Sequence, residues 1–265
     1  MGLLLAAMGM AAANQARTRH AASRTAQASK DASKTSVPTS RPLAINEGYG
    51  VGSSAAPPRA QVAPAPAFPI ATVRPGRSVP VYTSPTGPVV ALINATTEFG
   101  SPRTFAVAAR RGRWLGVLTT ALPNGKLGWI KKDRTIRAAN TRISIHVDLS
   151  QRSLELYRGS KVIRRASVGI GRPGASTPTG RFAVTDKIAG GKYGPYYGCC
   201  ILALSGHQPN LPKGWPGGDR LAIHGTNNPA GIGKQVSAGC LHAAAADLRV
   251  LMRRVPLGTP VFIRR

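Results

Sequence analysis

From residue 70 to residue 265 the apolar residues alternate in short runs, and nearly every run is cut by turn chemistry before a helix could form. Segments 79–82, 89–93, 104–108, 114–118 and 127–130 place one side chain inward and the next outward, the period of a half-buried strand. Ser84-Pro85, Gly100-Ser101-Pro102, Arg111-Gly112 and Pro123-Asn124-Gly125 separate them, and the Asn-Gly pair marks a hairpin. Five short strands in residues 70–139 predict a small barrel. A second series, 143–147, 153–157, 161–168, 180–185, 199–204, 221–224 and 260–264, fills residues 140–265. One helix is expected at 243–254, with Leu248, Leu251 and Met252 at helical spacing and Pro256 beyond its end. The 30 Gly, 22 Pro and 5% aromatic content agree with a mainly β fold of two small domains.

Upstream the pattern is absent. Residues 14–69 are rich in Ala, Ser, Thr, Pro and Arg and have almost no large apolar side chains. They bury too little surface to offset the entropy of ordering, so they read as a flexible spacer, stiffened at Pro57-Pro58, Pro64 and Pro66. Residues 1–13 are apolar and uncharged but shorter than the roughly 20 residues a membrane span needs. With Ala11-Ala12-Ala13 as a small-residue cleavage region, they resemble the apolar part of a secretory signal that lacks its basic leader. Export is the expectation, to the cell wall or the outer face of the cytoplasmic membrane, or to the periplasm where an outer membrane exists. An apolar tail is the alternative.

The net charge of +27, from 36 basic and 9 acidic residues, attracts polyanions: nucleic acid, anionic lipid or acidic cell-wall polymer. The basic residues are scattered, with only pairs such as Arg110-Arg111, Lys131-Lys132, Arg164-Arg165 and Arg253-Arg254. No basic helix, zinc finger or aromatic RNA-binding box organises them. A generally cationic surface is favoured over a specific nucleic-acid site.

Three cysteines, Cys199, Cys200 and Cys240, leave at least one thiol unpaired. Adjacent Cys199 and Cys200 read as two buried hydrophobes in a strand rather than as a bridge. Cys240 lies in Ser237-Ala238-Gly239-Cys240-Leu241, sixteen residues after His224 in His224-Gly225-Thr226-Asn227-Asn228-Pro229. A thiol next to an imidazole can attack carbonyls, and small flanking residues leave room for one to approach, so the pair points to acyl transfer. The expected helix begins just after Cys240, where its dipole would favour a thiolate. A metal site from His224, Cys240 and His242 lacks any HExxH, CxxC or acidic cluster, and no cofactor is implied. His146 and His207 are not tied to the chemistry by spacing and read as satisfied or solvent-exposed. The sequence does not set an oligomeric state.

These motifs, with Ile232-Gly233, Asp247-Leu248, Pro256-x-Gly258-Thr259-Pro260-Val261 and the upstream Thr177-Pro178-Thr179-Gly180-x-Phe182, resemble the YkuD-type L,D-transpeptidase catalytic domain over about the last 125 residues. Trp114-Leu115-Gly116-Val117 followed by Gly128-Trp129-Ile130 resembles the last strands of bacterial Src-homology-3-like modules, with both tryptophans more in keeping with core than with a ligand platform. The first resemblance implies a β-sandwich or barrel with a short helix after the catalytic cysteine. It also implies a cysteine acyl-enzyme formed on a peptidoglycan stem tetrapeptide and passed to an acceptor amine, for cross-linking or remodelling of the wall.

Carried over by residue, Cys240 is the nucleophile and His224 the proton carrier. The Gly225 carbonyl orients the imidazole, and the Gly239 and Cys240 N–H groups offer an oxyanion hole. Thr226, Asn227, Ser237, His242 and Tyr197 are candidates to touch substrate, with Tyr193 and Tyr196 in the same loop; Ser237 also reads as satisfying the backbone of its own turn. The family reads SHGCIR where this chain has Ala238 and His242, so a catalytically weakened wall-binding protein and an L,D-carboxypeptidase stay open as alternatives.

Overall fold

Alternation becomes sheet where a strand finds a partner, and the computed structural model, which describes residues 66–211, 213–214 and 218–265, shows two sheets. The leader expected at 1–13 and nearly all of the spacer expected at 14–69 lie outside the described residues.

The first lobe contains β1 (Phe68–Val73), β2 (Ser78–Tyr82), β3 (Val89–Asn94), β4 (Thr104–Arg111), β5 (Trp114–Val117), β6 (Gly128–Lys131) and β7 (Ile136–Thr141), in the order β3-β2-β6-β5-β4-β1-β7. Seven strands stand where five were expected. The additional two are β1, which starts inside the segment read as spacer, and β7, which pairs with it over six positions from Phe68↔Thr141 to Val73↔Ile136. The lobe's core is made by Val79, Val81, Phe105, Leu115, Val117 and Ile130, all buried; Trp129 is buried and Trp114 partly so.

The second lobe contains β8 (Ile143–Asp148), β9 (Ser153–Arg158), β10 (Lys161–Gly171), β11 (Gly180–Ala189), β12 (Cys200–His207), β13 (Arg220–His224), β14 (Gln235–Ser237), β15 (Leu241–Ala243), α1 (Ala245–Arg254) and β16 (Pro260–Arg264). Their order is β14-β10-β15-β13-β12-β11-β16-β8-β9, and β9 also pairs with the first half of β10, which bends the sheet back on itself. Leu154, Leu156, Leu202, Leu204, Leu221, Ile223 and Leu241 are fully buried between the layers, and Leu248 and Leu251 dock α1 onto them. Each such side chain contributes about 1.5–3 kcal/mol relative to exposure.

Two expectations need correction here. The helix begins at Ala245, not 243, and β15 stands between it and Cys240. The sulfurs of Cys199 and Cys200 are joined to each other rather than packed as two free thiols.

The lobes meet through specific contacts. Asn124 of the β5–β6 turn donates to the His207 carbonyl at 2.7 Å and accepts the His207 N–H at 2.9 Å. The His207 ring bridges Asp219 at 2.8 Å and the Thr120 carbonyl at 2.9 Å. Ala106 and Leu118 pack on Ala183 across the same boundary.

Candidate active site

The parallel pair β13–β15 sets Ile223 against Leu241 and His224 against His242. Side chains two apart share a face of a sheet. His224 and Ala222 on one strand, and His242 with Cys240 just before the other, therefore face the same way. Cys240 and His224 line one cavity of about 50 Å³ with Tyr196, Tyr197, Gln208, Ala222 and Ala238.

His224 is buried, and its Nδ1–H donates to the Gly225 carbonyl at 2.6 Å. That bond fixes the tautomer, leaving Nε2 as the nitrogen able to take a proton. The Gly225 carbonyl can lie there because the chain carries glycines on both sides of a tight crossing. A Cβ on Gly225 would sit 2.8 Å from the Tyr197 carbonyl oxygen, and one on Gly198 would sit 2.8 Å from Gly225 Cα. The same crossing lays the tyrosines over the imidazole, with Tyr197 and Tyr196 ring centroids 4.9 and 5.6 Å from that of His224.

Cys240 is half-buried as a residue, yet its thiol is enclosed, with the S–H 3.8 Å from the Arg220 carbonyl oxygen. Burial pushes the thiol up to about 11, offset slightly by the Ala222 N–H that faces the sulfur. Burial, and then the neighbouring His242, push His224 down to about 3 despite its bond to Gly225. Burial thus favours a neutral thiol and a neutral imidazole on the walls of one cavity. Burial pushes the Tyr196 and Tyr197 hydroxyls up, and negative charge on Cys240 would push them further, so both stay protonated hydrogen-bond donors.

A pH dependence follows. With the thiol pushed up, only roughly one Cys240 in ten thousand is thiolate at pH 7, and alkylation requires the thiolate. Iodoacetamide modification of Cys240, followed by intact mass, is expected to rise about tenfold per unit from pH 7 to pH 10. A plateau reached near neutrality would show an ion pair instead.

The turn before Cys240 is closed on itself. Ser237 Oγ donates to the Cys240 carbonyl at 2.6 Å and accepts the Gly239 N–H at 3.0 Å. The Gly239 N–H, expected in an oxyanion hole, is therefore engaged inside the turn. Thr226 Oγ1 accepts the Asn228 N–H at 2.9 Å, which shapes its own loop, and Asn227 is exposed. His242 is buried with its ring centroid 4.7 Å from that of His224 and its Nε2 unpaired. Of the five residues proposed to touch substrate, Tyr197 lines the cavity; Thr226, Asn227, Ser237 and His242 are not among its lining residues.

Gln208 carries no motif and was not anticipated. Its buried amide nitrogen lies 3.3, 3.0 and 3.1 Å from the carbonyl oxygens of Ala175, Ser176 and Ala238, tying the segment after β10 to the turn before Cys240. The only hint in sequence was Gly239, whose missing side chain makes room for it.

A buried imidazole and an enclosed thiol thus share one cavity on a folded-over β-sheet. The L,D-transpeptidase catalytic domain model, YkuD, matches residues 142–263. YkuD of Bacillus licheniformis is 34% identical over 121 residues, which cover 45% of this chain and 64% of that protein. YqjB of Bacillus subtilis is 33% identical over 129 residues, 44% of this chain and 70% of its own length. An L,D-transpeptidase structure from Enterococcus faecium superposes with a TM-score of 0.37 at 22% identity, over 51% of this chain and 53% of that one, a likeness too loose to argue from. The chain belongs to the YkuD family of L,D-transpeptidases. It spans just under two thirds of the length of the YkuD proteins it matches.

Proposed function

We propose that this protein is a peptidoglycan L,D-transpeptidase that acts through an acyl-enzyme on Cys240. The observation that carries the reading is the shared cavity of Cys240 and His224, with His224 Nδ1–H tied to Gly225 so that Nε2 is the basic nitrogen. In the proposed reaction the S–H turns from the Arg220 carbonyl to His224 Nε2. The sulfur attacks the carbonyl of the third stem residue as its proton passes to the imidazole. The C–N bond to the terminal D-alanine breaks, and the imidazolium returns the proton to the departing amine. An acceptor amine then attacks the thioester, giving up a proton to His224; the C–S bond breaks, and the imidazolium returns that proton to the Cys240 sulfur.

Because thiol and imidazole start neutral, no buried charge has to be maintained before substrate enters, and charge develops only along the reaction. The Tyr196 and Tyr197 hydroxyls and the Cys240 N–H are the donors proposed to meet it. Water in place of the amine would give carboxypeptidase trimming from the same intermediate, and the family resemblance favours the amine. Location outside the cytoplasmic membrane, where the stems are, is part of the same proposal, and the +27 charge suits an acidic wall polymer.

A tetrapeptide stem mixed with the full chain should add the mass of its tripeptide acyl group to Cys240, and an added amine should remove it. Cys240→Ala should show no adduct and turn over at least about a thousandfold more slowly. Undiminished turnover in Cys240→Ala would overturn the mechanism.

A further inference from the structure

The loop between β3 and β4 is anchored more firmly than its exposure requires. Thr97 Oγ1 donates to the carboxylate of Asp186, which is fully buried in the other lobe, and accepts the N–H groups of Phe99 and Ser101 at 3.3 and 3.0 Å. Glu98 pairs with Arg220 and lies 3.8 Å from Arg103. Burying a carboxylate is costly unless partners offset it; Thr97 bonds one oxygen of Asp186 and the Arg220 guanidinium lies 3.9 Å from the other, so the loop and Arg220 share the stabilisation of this charge. What these bonds hold still is Phe99, 39% exposed, with the Arg220 guanidinium 5.8 Å above its ring.

Phe99 is continuous with the site already described. Its ring centroid is 6.3 Å from that of Tyr193 in the other lobe, itself 47% exposed. Tyr193 is 6.3 Å from Tyr197, which is 4.9 Å from His224. A path of rings thus runs from the seven-stranded lobe to the reacting pair, open to solvent at its outer end. Apolar rings fixed in water beside a catalytic cavity mark a binding surface rather than a folding need.

We propose that Phe99 and Tyr193 form an outer subsite of the donor cleft for a pyranose ring of the glycan to which the stem peptide is attached, the Phe99 ring stacking on the sugar and Tyr193, set at 81° to it, walling its edge. This rests on the peptidoglycan reading above. The stem offers short and charged side chains, which have no broad apolar face to lay on an aromatic ring. A pyranose chair offers such a face in its axial C–H groups and hydroxyls around its edge, and the rim here is polar, with Glu98, Arg220 and Lys192. The seven-stranded lobe then selects donors still joined to glycan over free peptides.

The test compares two donors on the full chain, a disaccharide tetrapeptide and the same tetrapeptide without sugar, by the rate of adduct formation on Cys240. Phe99→Ala is expected to lower kcat/KM for the disaccharide donor about tenfold, through KM, the size of one aromatic stacking contact. The sugar-free donor should change less than about twofold, and Phe99→Trp should keep the preference. Equal losses on both donors would overturn the subsite, since the ring would then serve the peptide or the fold. An unchanged disaccharide rate would overturn it too. Failure of the wild-type chain to acylate with either donor would instead overturn the transpeptidase reading on which the subsite depends.

Discussion

His224→Gln is expected to slow acylation of Cys240 by a tetrapeptide donor about a thousandfold, the usual scale of a lost general base. The size follows from the neutral starting pair. With the thiol pushed up to about 11, thiolate is scarce at pH 7, so attack depends on removing the proton during the reaction. Glutamine can accept a hydrogen bond at that position but cannot hold the proton. His242 does not take over, because it is buried beside His224 and does not line the cavity. Single-turnover mass spectrometry gives the acylation rate, and iodoacetamide at pH 10 supplies the control. Hydroxide does the deprotonation there, so variant and parent should alkylate within about threefold of each other. An acylation loss smaller than tenfold would remove His224 from the proposed role.

Gly239→Ala is expected to destabilise the fold by about 2–4 kcal/mol and to abolish most activity. Two independent costs meet at this residue. Its φ of +122° is a backbone conformation that side-chain-bearing residues rarely adopt, and a Cβ would fall 1.8 Å from Gln208 Nε2. Relieving the overlap means moving Gln208 off the carbonyls of Ala175, Ser176 and Ala238, which leaves buried acceptors unpaired and frees the turn that aims Cys240. Thermal unfolding should show a Tm lower by about 5–10 °C. The double variant Gln208→Ala, Gly239→Ala removes the overlap but not the backbone cost, so its loss should be smaller than the sum of the two single losses. An unchanged Tm in Gly239→Ala would show that the turn can adopt another conformation at no cost.

What could be read in advance was local. Alternation in 143–147, 153–157 and 260–264 is a property of a few adjacent residues, and β8, β9 and β16 lie there. Cys240 and His224 carry their chemistry in their own side chains, within motifs short enough to see. The unforeseen features depend on partners distant in sequence. Phe68 and Pro69 looked like spacer because Ala and Pro surround them, but β1 is a strand by virtue of pairing with β4 on one edge and β7 on the other. β14 and β15 have three residues each, too few to show a period. Gln208 matters through three carbonyls in two distant segments, and Ala222 through a backbone N–H, which no residue type announces. The neutral state of the pair is likewise a product of enclosure, and enclosure is not written in spacing.

The buried carboxylate of Asp186 also bears on where this chain can be cut. Severing it near residue 140 would yield a fragment that still contains every residue of the matched family domain. That fragment would lose the Thr97 hydroxyl from Asp186, the Thr120 carbonyl from His207 and the Glu98 partner from Arg220, whose own carbonyl receives the Cys240 thiol. It would also bare Ala183 to water. The scaffold around Cys240 is thus completed from the opposite side of the boundary, and an excised second lobe would be a different molecule, not a smaller version of the same one.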